Sequence, residues 1–226
     1  MTRSFVAGLV TIALLLGGAG LVQASGGSSS TVDVAAPAQD PMQVAQQHYE
    51  RGLKARDKAW EREDKLGAAT EDKEVTKLKA RIEKEYQRAL RAYDSALELN
   101  PNLYQALSDK GYAHRRLGGY GESLAAYDKA LGLSPGYTPA IEYRGEAYLG
   151  LDRVEEAKEA YMILFQHDRA LADELLVAMK GWLEEKKADA GGVDEGQVNS
   201  FESWVNERAE IAQQMAQLSK AESRRW

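Results

Sequence analysis

Between residues 86 and 168 the apolar and small positions of this chain return with a step of 34 residues. Gly111 is followed by Gly145, Ala106 by Ala140, Ala113 by Ala147, Leu117 by Leu151 and Tyr127 by Tyr161. One step earlier, Tyr93, Ala96, Leu97, Leu99 and Pro101 precede Tyr127, Ala130, Leu131, Leu133 and Pro135. The spacing within each period is helical, and it predicts paired helices over residues 104–117 and 122–133, then 139–151 and 155–167. Pro135 and Gly136 end a unit, because both are poor helix-interior residues. Small residues (Ala106, Gly111, Ser123, Ala130) fall between large ones (Leu107, Leu117, Tyr127, Leu131), so that one helix can nest on the next. A fixed period of this size predicts an all-α stack of helical hairpins, an architecture that works by presenting a surface.

The spacing resembles the tetratricopeptide repeat family. The family's large, Leu-Gly, aromatic, small, aromatic, Ala and Pro places hold Leu107, Lys110-Gly111, His114, Ser123, Tyr127, Ala130 and Pro135. In the following unit they hold Ile141, Arg144-Gly145, Tyr148, Ala157, Tyr161, Leu164 and Arg169, so the closing Pro is missing there and the last helix is expected to run on or end differently. The resemblance implies a helical-hairpin solenoid of about three units whose first helices line a concave face that holds a segment of another protein. Some members clamp a partner's C-terminal carboxylate with Lys, Asn and Arg; the matching positions here hold Tyr49, Leu53, Asp109, Pro139 and Tyr143, so that clamp is absent.

The first unit is stretched. Gly52 takes the place of Gly111, but Gly52 to Ala96 spans 44 residues where Gly111 to Ala130 spans 19. The 25 extra residues surround a turn at Leu66-Gly67-Ala68-Ala69-Thr70 and are rich in charge, with Trp60, Val75, Leu78 and Ile82 as the apolar positions. They predict one long, coiled-coil-like hairpin whose second arm, about residues 71–99, is roughly 43 Å long at ~1.5 Å per residue.

The organisation expected is a signal peptide over 1–24, a linker over 25–40 and a repeat domain over 41–187. The repeat domain divides into units at 41–103, 104–137 and 138–171 and a capping helix at 172–187, and an amphipathic helix follows at 197–226. Arg3 precedes an uncharged apolar run from Phe5 to Val22, and Val22-Gln23-Ala24 fits a cleavage site. Export to the periplasm or secretion follows, and the alternative is an uncleaved anchor in the inner membrane, since the run is near bilayer-spanning length. Leu175, Leu176, Met179, Trp182 and Leu183 form one apolar face, suited to covering the open end of an array. Phe201, Trp204, Val205, Ile211, Ala212, Met215 and Leu218 form another, which packs either on the stack, on a partner or on a second copy.

Composition narrows the chemistry. There is no cysteine, which excludes disulfides, thiolate catalysis and Cys-based metal sites. A net charge of −6 supplies no general basic field for nucleic acid. His48, His114 and His167 lie far apart, no serine sits in a nucleophile elbow and no glycine cluster forms a phosphate loop, so catalytic residues, metal and cofactor are all expected to be none. The candidate partner-binding residues are Tyr49, Arg56, Ser108, Tyr112, Arg115, Tyr143 and Glu146, read as projecting from the first helices away from their packing faces. Tyr offers rigid amphipathic contact area and Arg a planar set of donors. The function expected is a non-enzymatic protein-binding scaffold of the cell envelope. The alternatives are a self-assembling structural component and, behind it, an envelope hydrolase or transferase. The partner is a protein or peptide segment, with homo-oligomers as a further form, and a membrane only if the N-terminal segment stays attached.

Overall fold

The computed structural model describes residues 40–223, with side chains to residue 218. The expected signal peptide and all but the last residue of the expected linker lie outside the described residues. Every element among those described is α-helical: α1 (Pro41–Ala68), α2 (Asp72–Leu99), α3 (Tyr104–Arg116), α4 (Tyr120–Leu133), α5 (Thr138–Leu149), α6 (Val154–His167), α7 (Arg169–Ala188) and α8 (Glu195–Ser223). They form antiparallel hairpins stacked in chain order, so the protein is an all-α, tetratricopeptide-type helical-hairpin solenoid. The ends of α3 to α6 fall within two residues of those the 34-residue pattern predicts.

Local chemistry explains most boundaries. Asp40 caps α1 by accepting from the Met42 amide at 3.0 Å, and Pro41 takes the first helical position, where no amide donor is needed. Ser134-Pro135-Gly136 separates α4 from α5. The third unit, without its proline, ends through Asp168 instead. This residue closes α6 and accepts from the Leu171 amide at 3.2 Å, so α7 starts at Arg169, three residues ahead of the expected capping helix. Thr138 ties the same carboxylate to the start of α5 at 3.0 Å. The final helix also starts earlier than expected, at Glu195, because Asp194 caps it by accepting from the Gln197 amide.

α1 and α2 each have 28 residues, about 42 Å, against 13 and 14 for α3 and α4. Ala55, Ala59, Leu78, Tyr86 and Ala89 are buried between the two arms, and of these Ala59 and Leu78 belong to the extra turns. At the other end α7 packs on both α5 and α6, and α8 folds back on α7. Val198, Phe201 and Val205 are fully buried there, with Phe201 in edge contact with Trp182 of α7 (5.3 Å) and Trp204 with Tyr161 of α6 (5.4 Å). Further along α8, Met215 is 48% and Leu218 65% exposed.

Candidate functional site: the inner face of helices α1, α3 and α5

The first helices of successive hairpins touch one another: α3 packs on α1, α5 on α3 and α7 on α5. The second helices do not make comparable contacts with each other. A stack drawn together along one row curves toward it, so the first helices form the inner face.

Six of the seven expected residues, all but Ser108, are joined by side-chain contacts across α1, α3 and α5. Asp109 is the hub of one group. It accepts from the Tyr49 hydroxyl at 2.7 Å and from Arg56 Nη1 at 2.8 Å, tying α1 to α3. Arg56 in turn lies over the Trp60 ring, 4.2 Å from its centre, and Trp60 Nε1 donates to the Tyr112 hydroxyl at 2.7 Å. Tyr112 meets Tyr143 of α5 at 5.0 Å between ring centres. Arg115 of α3 ion-pairs with Glu146 of α5 and covers the Tyr112 ring at 5.1 Å. One connected layer of rings and ion pairs thus crosses three helices.

Two expected residues do not project. Ser108 is 2% exposed and Tyr112 1%, because α3 is pressed between α1 and α5 and has little free surface. Arg115 and Glu146 are largely covered as well, at 12% side-chain exposure each. Two residues of the layer were not among the seven, Asp109 and Trp60; beside it the Tyr137 ring packs on Tyr104 at 5.0 Å. For Trp60 a signal exists in the sequence, since it follows Arg56 by one helical turn.

The electrostatics follow from burial. Burial pushes the Asp109 carboxyl up, against the pull of Arg56 and of its hydrogen bonds. Burial also keeps the Tyr49 and Tyr143 phenols protonated far above the usual range, and pushes Tyr137 up to about 12, with Asp109 adding to the effect. For Arg115 burial opposes the charge, but Glu146 together with Tyr127, Tyr112 and Glu142 outweighs it and the net shift is upward. The face therefore offers aromatic area, with its charges already matched and the Tyr49 and Tyr112 hydroxyls engaged within the layer. A carboxylate from a partner would meet Asp109 where a clamp would need a cation. Among the described residues no cluster of His, Asp and Glu is arranged to hold a metal ion, and no helix is long and apolar enough to cross a membrane.

No family model matches the chain, and no curated protein matches it. Solved structures do resemble it. The TPR domain of Arabidopsis OM64 is 19% identical, with a TM-score of 0.47, covering 65% of this chain and 99% of that one. The second TPR domain of human RPAP3, in complex with an HSP70 peptide, is 16% identical with a TM-score of 0.42, covering 74% of this chain and 98% of that one. A MamA double mutant is 18% identical with a TM-score of 0.41, covering 76% and 97%.

Proposed function

We propose that this chain is a non-enzymatic protein-interaction module that holds a segment of another protein along the inner face, exported to the periplasm or secreted by its N-terminal apolar segment. One observation carries the reading. Tyr49, Arg56, Trp60 and Tyr143, each partly exposed, form a pre-ordered aromatic surface held from beneath by the buried Asp109 and Tyr112 and flanked by the Arg115–Glu146 pair. Side chains already clamped by their neighbours lose little freedom on binding, which favours affinity. Because the acids and bases of this surface are paired, the segment it suits is recognised by aromatic contact and hydrogen bonding more than by charge.

The test is site-specific photocrosslinking in cells of the source, with the photoreactive residue at Tyr143 on the inner face or at Met162 on α6. Adducts to one protein from position 143 and none from 162 support the reading. Equal labelling from both, or none from either, removes it. Fractionation of the same cells tests export, since chain recovered only with cytosolic markers would end that part.

A second reading is self-association, favoured by the exposed Met215 and Leu218 on α8. Light scattering separates it, as a monomer at high concentration removes it.

A further inference from the structure

The mixed charges of the long hairpin are sorted by the fold. Along α2, Lys73, Lys77, Arg81, Lys84, Arg88 and Arg91 follow steps of four, four, three, four and three residues. At ~3.6 residues per turn they share a sector of about 80° and form a straight line roughly 27 Å long. All six are exposed, on the side of α2 opposite its buried Leu78, Tyr86, Ala89, Tyr93 and Ala96. Among the described residues none of the six makes an ion pair or a side-chain hydrogen bond, although α2 also carries acids. Of the acids, Glu85 pairs with Arg62 of α1 and Asp94 with Lys110 of α3, and Glu71 and Glu74 border the end of the row at Lys73, Lys77 and Arg81, so the end at Lys84, Arg88 and Arg91 is its most purely basic part.

We infer that this ridge is a docking edge for an anionic lipid bilayer. A straight row of cations on the outer side of a rigid helix can touch a plane along its whole length without any groove. The residues beside the row, Thr76, Ala80 and Gln87 on one flank and Glu74 and Ala92 on the other, carry no ring, so nothing there stacks a base. That argues against a nucleic acid, whose single strands need aromatic platforms. The chain outside the described residues points the same way. Its apolar run ends at Val22, and the chain between it and Pro41 spans at most about 65 Å when extended. It joins the hairpin beside the Arg91 end of the ridge, since Tyr49 of α1 packs on Tyr93 of α2. Where that run stays attached it holds the domain within reach of a bilayer, and a basic row on the domain then adds attraction to anionic headgroups. This inference does not depend on the inner face.

The chain has no cysteine, so Ala80→Cys gives a single labelling site beside the ridge. The full chain carrying an environment-sensitive dye there is titrated with vesicles of phosphatidylcholine, with and without phosphatidylglycerol. The expected result is a blue shift only with phosphatidylglycerol, reversed by salt. Replacing all six cations by Gln lowers partitioning about ten-thousand-fold, and replacing Lys77, Lys84 and Arg91 alone lowers it about a hundred-fold. The triple variant keeps the test open should the six-fold one misfold by circular dichroism. Dye that stays in water on both vesicles, or variants that partition like the parent, overturn the inference. So does loss of binding to poly-glutamate or to RNA in the variants with vesicle binding unchanged, which would give the ridge to an acidic protein or a nucleic acid.

Discussion

In the hairpin α3–α4 the Tyr127 ring lies against Gly111, where an added Cβ would come 2.6 Å from ring carbon Cε1, and the same ring meets Tyr143 of the next hairpin at 6.3 Å. In the hairpin α5–α6, 34 residues on, Gly145 faces Leu175 of α7 and Tyr161 faces Trp204 of α8. The turns differ in parallel. Gly118 adopts a left-handed φ of 80°, and Asp152 adopts 57° in its place. The Asp152 carboxylate accepts from Trp182 Nε1 at 3.0 Å and pairs with Lys186 at 2.8 Å, both on α7. An interior unit passes its contacts to another copy of the same pattern. The last unit has no further copy, so its repeat positions are completed by residues with no counterpart in the period.

The largest expected effect is at the closing end. Phe201→Ala removes a ring packed between Trp182 and Trp204 and should cost about 3–5 kcal/mol in urea unfolding. A cost under about 1 kcal/mol would mean that α8 does not hold the last unit. Next, Asp152→Ala should lose about 2–3 kcal/mol, combining the left-handed backbone with two lost partners on α7. Asp152→Gly keeps the backbone free and isolates the partners. If it is as stable as the parent, the ties to α7 contribute nothing.

The glycines sharpen the contrast directly. At position 111 a Cβ presses on a fixed aromatic ring, and at 145 it presses on the 2.7 Å-distant end of the Leu175 side chain, which can turn away. Gly111→Ala should therefore destabilise by about 1–3 kcal/mol and Gly145→Ala by less than about 1, the helix preference of Ala offsetting part of each. Equal effects in thermal melts would show that the two units are packed alike after all.

The interior of the stack was legible because each of its contacts is written twice, 34 residues apart. The long hairpin was legible from Leu78 and Ile82 keeping helical spacing through the inserted residues. What escaped was whatever depends on a neighbour outside the period. The start of α7 hangs on Asp168 serving two helices and Thr138, and no repeat pattern announces that. On the inner face the sequence put Tyr112 and Ser108 among projecting residues, because helical phase tells which side a residue faces and not how closely the adjacent helix approaches. Asp109 stood at a groove position in the sequence, yet its role as an acceptor for both Tyr49 and Arg56 needed the packing of α1 on α3.

The smallest effect tests whether an exception inside the period matters. His114 stands where the following unit has Tyr148, and it is partly buried. Burial lowers its basicity and the nearby Lys110 lowers it further, while Glu122 and Asp94 act the other way. Its folded-state pKa is thus below the ordinary 6.5, and on acidification the unfolded chain takes up the proton first. The contribution is fully present above 6.5 and is lost as pH falls through the folded-state value. Since much of the ring is still in contact with solvent, the change should stay below about 1 kcal/mol. Urea midpoints at about pH 7.5 and about pH 5.5 should fall with acid in the parent and fall less in His114→Gln. Parallel falls in both would place the pH dependence on other groups and leave His114 as a neutral stand-in for the aromatic ring of its repeat.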